Sequence, residues 1–271
     1  MARLITRRHT LMSLALLGAG GRAFAEDAED PDPWPDLKHM FFNDGPIEED
    51  KGLVKFEAPS RAEDAALVPV SFSAKLAPDD TRRAVKLTLV IDQNPVPLAA
   101  AFTLGEKAGD TRISTRVRVN SYTNARVVAE LSDGSLHMAT CYIKASGGCS
   151  APMVKSMDEE MAALGQMKFR ILPPIPEAPN EALLMIRHPN NSGLQMDQIT
   201  RLYTPARYID KLDVYQGPDL VFSMAAGISI SEDPNFRFTF KPNGAKMFRV
   251  EAEDTAGKKF SGAWPATRDG A

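Results

Sequence analysis

Short apolar runs that alternate with polar residues at every second position recur from Leu67 to Trp264, and they leave this chain few folds other than antiparallel β-sheet. Val68, Val70 and Phe72 alternate within Leu67–Lys75, and Val85, Leu87, Leu89 and Ile91 line one face of the next run. Ile113, Val117 and Val119 mark a third, with Arg112, Arg116 and Arg118 expected on its outer side. Arg126–Leu131 and Leu136–Ala145 flank Ser132-Asp133-Gly134-Ser135. Asp-Gly between two apolar runs predicts a hairpin, because Gly accepts the positive φ of a tight turn. A second series follows: Lys168–Leu172, Ala182–Arg187, Tyr208–Gln216, Leu220–Ala226, Phe236–Lys241, Met247–Glu253 and Phe260–Trp264. Asn243-Gly244 and Ala256-Gly257 supply turns, and a long polar loop lies between Pro189 and Arg207.

The two series are separated by Ser146-Gly147-Gly148-Cys149-Ser150-Ala151-Pro152 and a short helical pattern. Ser156 and Glu159 form a capping box there, Met157, Met161 and Leu164 make one apolar stripe, and Gly165 suits the helix end. The chain is long enough for two domains of roughly 100–150 residues. The expected fold is all-β: two immunoglobulin-like antiparallel β-sandwich domains, residues 52–149 and 167–271, joined by a linker over 150–166 with a short helix. Residues 26–51, acidic and proline-rich, are expected as an extended leader. One helical turn at Asp36–Phe42 is expected within it, with Trp34, Phe41 and Phe42 as anchors on the first domain.

Residues 1–25 are expected to be removed. Arg3, Arg7 and Arg8 precede the apolar run Leu11–Ala19, and Ala23-Phe24-Ala25 follows. That order is the charged region, apolar region and A-x-A cleavage site of an export signal. The run is too short to span a bilayer about 30 Å thick, so no stable membrane insertion is expected. Thr6–Leu11 also resembles a twin-arginine signal. Both routes lead to a bacterial periplasm. Losing four of the 32 basic residues and none of the 35 acidic ones leaves a net charge of −7, which argues against nucleic acid as a partner.

Cys141 and Cys149 are the two cysteines of the chain. Gly147 and Gly148 remove side-chain bulk before Cys149 and are read as the flexible arm that presents its thiol. A thiolate is a strong nucleophile whose bonds can later be broken, the chemistry of a covalent carrier. From Gly-Gly-Cys alone, a disulfide between Cys149 and Cys141 reads equally well in an oxidising compartment. Alternation in Leu136–Ala145 puts Cys141 on one face with His137, Ala139 and Ile143. No metal or cofactor site is expected: His39, His137 and His188 are scattered, and no HExxH, Cys-x-x-Cys, Gly-x-Ser-x-Gly, phosphate-loop or dinucleotide motif occurs. Phe236, Phe238, Phe240 and Phe248 read as strand core.

Several stretches resemble a known family. Asp92-Gln93-Asn94-Pro95-Val96-Pro97-Leu98-Ala99, Ile113-Ser114-Thr115-Arg116-Val117-Arg118, Ala129–Leu136 and Gly147-Gly148-Cys149 are similar to SoxY, the cargo-bearing subunit of a periplasmic sulfur-oxidation carrier. Ile186-Arg187-His188-Pro189, Pro205–Ile209 and Asp233-Pro234-Asn235-Phe236 are similar to its partner SoxZ. The whole resembles single-chain SoxYZ fusions associated with quinoprotein dehydrogenases. That resemblance implies a carrier rather than an enzyme. Cys149 would be the point of cargo attachment, and the partners would be periplasmic sulfur-oxidising enzymes or a quinoprotein dehydrogenase. In this chain Ser150-Ala151-Pro152 stand where the family has further glycines, and the polypeptide continues. Two other readings stay open: a non-covalent accessory module for the dehydrogenase, and a thiol-redox protein in which Cys141 is the redox partner of Cys149.

Overall fold

The computed structural model describes residues 32–43, 45–152, 161–197 and 200–267. The expected export signal, and Ser156, Met157 and Glu159 of the linker, lie outside the described residues.

Two sheets face each other. Numbered in chain order, the first runs β1 (Ile47–Glu49), β8 (Leu136–Ile143), β7 (Thr123–Leu131), β4 (Ala84–Ile91), β5 (Leu98–Leu104), β12 (Asp219–Ala226), β11 (Ile209–Gln216), β14 (Met247–Asp254) and β15 (Lys259–Pro265). The second runs β2 (Val54–Glu57), β3 (Val68–Ala74), β6 (Arg112–Val117), β13 (Asn235–Phe240), β10 (Asn180–Ile186) and β9 (Met167–Ile171). Every pairing is antiparallel except that of β1 with β8. The all-β architecture expected from the alternation is therefore present, each half contributing strands to both faces of a sandwich.

The period-two pattern sets which side chains go inward. In β2, Val54 and Phe56 are buried while Lys55 and Glu57 are exposed, and in β14 Phe248 and Val250 are buried between exposed neighbours. The expected hairpin closes at Gly134, whose φ is +83° and whose N–H donates to the Leu131 carbonyl. Cys141 lies in β8 half-buried against the core beside Ala139 and Ile143, as its place in the alternation requires.

Both sheets continue from one half into the other. In the first sheet β5 pairs with β12, with Leu104 opposite Phe222 and Ala100 opposite Ala226. In the second, β6 pairs with β13 through Ile113 and Phe238. Phe102 packs on Phe72, Phe222 and Phe236 at centroid distances of 5.5, 5.9 and 6.3 Å, so one aromatic cluster spans the seam. Burying aromatic rings edge to face contributes beyond their area, and here it ties the halves into one core.

The leader is more structured than expected. Trp34–Phe42 forms a nine-residue helix, α1, begun by Pro33 and Pro35 and ended by Asn43 at φ 52°. Its Leu37 is buried, and the guanidinium of Arg126 lies 4.4 Å from the Trp34 ring centre. Trp34, Phe41 and Phe42 are half-buried. Ile47–Glu49 then adds an edge strand, so residues 34–49 are not simply extended.

Candidate functional site

After β8 the chain stays on the sandwich instead of leaving as an arm. Gly147 N–H donates to the Asn120 carbonyl at 2.8 Å, and Gly148 N–H to the Val119 carbonyl at 3.0 Å. Val119 N–H in turn donates to Ala65 at 2.8 Å. A Cβ on Gly148 would sit 2.0 Å from the Ala65 oxygen and 2.7 Å from that of Val119. The residue is glycine because three backbone segments meet there. Gly147 takes φ +79°, which turns the chain. The reading of Gly147 and Gly148 as a flexible arm is thus corrected: they serve close approach and a turn, with their N–H groups committed.

Cys149 follows in a turn closed by Ser150 N–H to the Gly147 carbonyl, and it is 0% exposed. The expectation of a solvent-presented thiol is corrected too: Cys149 is buried at the seam, where the second half holds its backbone. Ser192 donates its hydroxyl to the Cys149 carbonyl. Ser192 N–H donates to Gln195 Oε1 at 2.9 Å, which folds 192–195 back on itself. Both cysteines are free. Cys141 Sγ donates to the Phe56 carbonyl at 3.1 Å, so the disulfide reading does not describe this structure. Burial pushes the Cys149 thiol up to about 11, opposed by the charge of Arg118. Burial also raises Cys141.

Arg118 is the residue that sequence reasoning misplaced. It was expected on the outer side of its strand, yet it is 1% exposed. The alternation stops because β6 ends at Val117. Arg118 N–H then donates to the Ser229 carbonyl of the second half, which covers this end of the strand. The guanidinium spans the two halves: Nη1 reaches the Gly148 carbonyl and Nη2 the Asn190 carbonyl, both at 3.4 Å, while Nε has no partner. Asn94, from the first stretch of resemblance, braces the same seam. Its Nδ2 donates to the Arg118 carbonyl at 2.8 Å and to Ser229 Oγ at 2.9 Å, and its Oδ1 accepts from Asn120 N–H at 2.8 Å.

The segment that grips the Cys149 carbonyl, here called the cover, is a buried polar loop. His188, Asn190, Asn191, Ser192 and Gln195 are each at most 4% exposed. His188 Nδ1 accepts from Asn190 N–H at 3.0 Å, and Nε2 faces Asp254 Oδ2 at 3.4 Å. Burial holds the His188 ring below its ordinary value, so it is neutral, with the Asp254 carboxylate pulling the other way. Burial opposes ionisation of Asp254. The Lys258 N–H and the Arg207 guanidinium, at 2.9 Å, outweigh that and hold it below the usual carboxylate range. Asn190 side-chain bonds to Ile230 and Ile209 finish the anchoring. His188 and Asn190 therefore anchor the start of the polar loop that the sequence places between Pro189 and Arg207. Beyond it the chain exposes Leu194, Met196, Leu202 and Tyr203. Among the described residues no group of three or more His, Cys, Asp or Glu could hold a metal.

Residues 38–149 match the family model of the sulfur oxidation protein SoxY, and residues 175–265 match that of the sulphur oxidation protein SoxZ. The SoxY match ends on Cys149. The chain is similar to the solved structure of the sulfur carrier protein SoxY from Chlorobium limicola f thiosulfatophilum, at 24% identity over 42% of this chain and 91% of that one, with a TM-score of 0.35. No curated protein matches. A SoxY domain and a SoxZ domain follow one another in this single polypeptide, which makes it a SoxYZ fusion of two sulfur-oxidation families.

Proposed function

We propose that this chain is an exported periplasmic carrier, not a catalyst, which holds a sulfur-containing cargo covalently on Cys149 and presents it to partner enzymes. The observation that carries the reading is the position of Cys149. It is a free thiol on which the SoxY match ends, placed where the SoxZ half meets it and beside a buried cation. The export assignment rests on the charged, apolar and A-x-A order of residues 1–25.

In the closed arrangement the thiol keeps its proton, and a thiol is a poor nucleophile. Loading therefore begins with the 188–195 cover moving aside, which lets water and base reach the sulfur. A balanced route is exchange with a donor persulfide. The Cys149 thiolate attacks the outer sulfur of R–S–SH, the S–S bond breaks, R–S⁻ leaves with the electron pair, and Cys149 holds the persulfide. No net oxidation occurs. Closing the cover then shields the adduct. Sulfur-oxidising enzymes of the periplasm are the partners this chemistry serves.

Intact-mass measurement on protein isolated from its native periplasm tests the reading. A sulfur adduct that maps to Cys149 and disappears in Cys149→Ser supports it. An unmodified chain, together with full complementation by the mutant, overturns it. The complete burial of Cys149 favours one second reading, a non-covalent accessory module for a quinoprotein dehydrogenase in which the cysteine is packing. Copurification with that enzyme, undiminished by Cys149→Ser, would select it.

A further inference from the structure

The strands of the second sheet bury one side and turn the other outward, and that outer face is strongly basic. Its six strands carry Lys55, Arg112, Arg116, Lys168, Arg170 and Arg237 against Glu57 and Glu181, a net of +4. The strands of the first sheet carry five bases and nine acids, a net of −4, and the whole chain stands at −3. Scattered surface charge keeps a protein soluble, whereas opposite signs segregated onto two sheets set up a field that selects what approaches each one. Glu57 pairs with Arg112 at 2.9 Å, and Glu181 pairs with Arg237. Lys55, Lys168 and Arg170 are exposed and make no ion pair among the described residues. Arg116 donates to the Glu232 and Asp233 carbonyls rather than to a carboxylate.

One cross-strand row runs Glu57, Ser71, Ser114, Arg237, Leu183 and Arg170, so both halves build the face. Ser71 and Ser114 are short and bonded to each other at 2.9 Å, and a hollow of about 650 Å³ opens above them between Pro69, Arg116 and Arg237. Another of about 490 Å³ lies beside Arg116, Met185 and Lys168. Pro69, Leu183 and Met185 are set among the cations, and no outward residue of these strands is aromatic. Arginine with scattered apolar side chains suits a protein surface, while single-stranded nucleic acid asks for rings on which bases stack. We infer that the outer face of the second sheet is a docking surface for a partner protein that presents a cluster of carboxylates, which arginine forks engage two oxygens at a time. The inference goes beyond the carrier reading and uses neither cysteine. A second copy offering its acidic first sheet fits less well: Lys211 and Arg249 already neutralise Glu253 and Glu251 there, and head-to-tail stacking that closes no ring grows a filament.

Fluorescence anisotropy with a short labelled poly-L-glutamate, used as the acidic probe on the full chain, tests this. Binding is expected at an ionic strength of ~10 mM and is expected to weaken about tenfold at ~150 mM, where screening shortens to about 8 Å. Lys168→Gln combined with Arg170→Gln removes two exposed cations that hold nothing else in place. This pair is expected to weaken binding about fivefold, the effect of two exposed ion pairs, with an unchanged melting curve. Lys211→Gln combined with Lys259→Gln takes the same charge from the first sheet and is expected to change binding less than about twofold.

No binding of poly-L-glutamate at low salt overturns the docking surface. Equal losses from the two pairs of substitutions also overturn it, because net charge rather than this face would then govern binding. An oligothymidylate of matched charge that binds more tightly than the peptide overturns the choice of a protein partner. Light scattering supplies the last arm: salt-sensitive oligomers that vanish in the Lys168→Gln, Arg170→Gln chain would give the face to a second copy and overturn the inference, while a monomer under all conditions supports it.

Discussion

Ser192 donates its hydroxyl to the main-chain carbonyl of Cys149, so the second half holds the first by the backbone of the residue that bears the thiol. On the carrier reading, exposing the sulfur therefore involves breaking this bond.

The pH dependence of stability should report that burial. Cys149 is raised from 9.0 to about 11 in the fold, so the folded chain binds this proton more tightly than the unfolded one. The site contributes full stability below about pH 9, and that contribution is lost as pH climbs toward 11. Urea denaturation in a Cys141→Ser background should show a loss of about 2 kcal/mol across this window. Cys149→Ala should not show it. At neutral pH Cys149→Ser should cost about 1–3 kcal/mol, more than Cys149→Ala, because a hydroxyl there is buried without a designed partner. A flat profile, or a serine variant as stable as wild type, would mean the thiol is wetter than its surroundings imply.

Glycine at 148 should resist replacement. Gly148→Ala places a methyl against two carbonyl oxygens held in hydrogen bonds, and should cost about 2–3 kcal/mol in thermal or urea melts. Gly134→Ala, at positive φ but in open space, should cost only about 1 kcal/mol. Equal costs at the two positions would show that conformation, not crowding, explains Gly148.

The cover should loosen from its anchor. His188→Ala removes the acceptor for the buried Asn190 N–H and frees one face of Asp254. Leaving such a donor unpaired costs about 1–3 kcal/mol, so Cys149 alkylation by iodoacetamide should speed up roughly 5- to 100-fold while the fold persists. The neutral ring also sets a sign: its folded value lies below the ordinary one, so its contribution is present above about pH 6.5 and fades as pH falls. Unchanged alkylation kinetics would detach His188 from the cover.

The alternating pattern exposed most of the strands, but it hid the strand that joins the halves. Leu98–Leu104 carries Ala99, Ala100 and Ala101 in sequence, and alanine favours helix and is depleted in strands. Only pairing on both edges, with β4 and β12, makes it a strand. Arg118 was illegible for a related reason: alternation assigns faces within a strand, and the residue just past its end is buried by a partner 111 positions away, Ser229. Gly-Gly-Cys drew attention to Cys149 by its spacing alone, while the purpose of its glycines depended on Ala65 and Val119, which no local pattern names.

The seam should make unfolding a single event. Phe102→Ala empties the middle of the aromatic cluster and should cost about 3–5 kcal/mol. Calorimetry should show one transition that moves as a whole, since strands of both halves share each sheet. Two separated transitions would show that the halves fold independently.

The β5–β12 pairing within one polypeptide has a consequence for dilution. Two separate chains would shed each other once their concentration fell below their dissociation constant, leaving the cysteine-bearing half bare. Here the second half is present at an effective concentration fixed by chain connectivity. Shelter for Cys149 is therefore independent of how much protein a cell makes, and one molecule alone is as well guarded as a thousand.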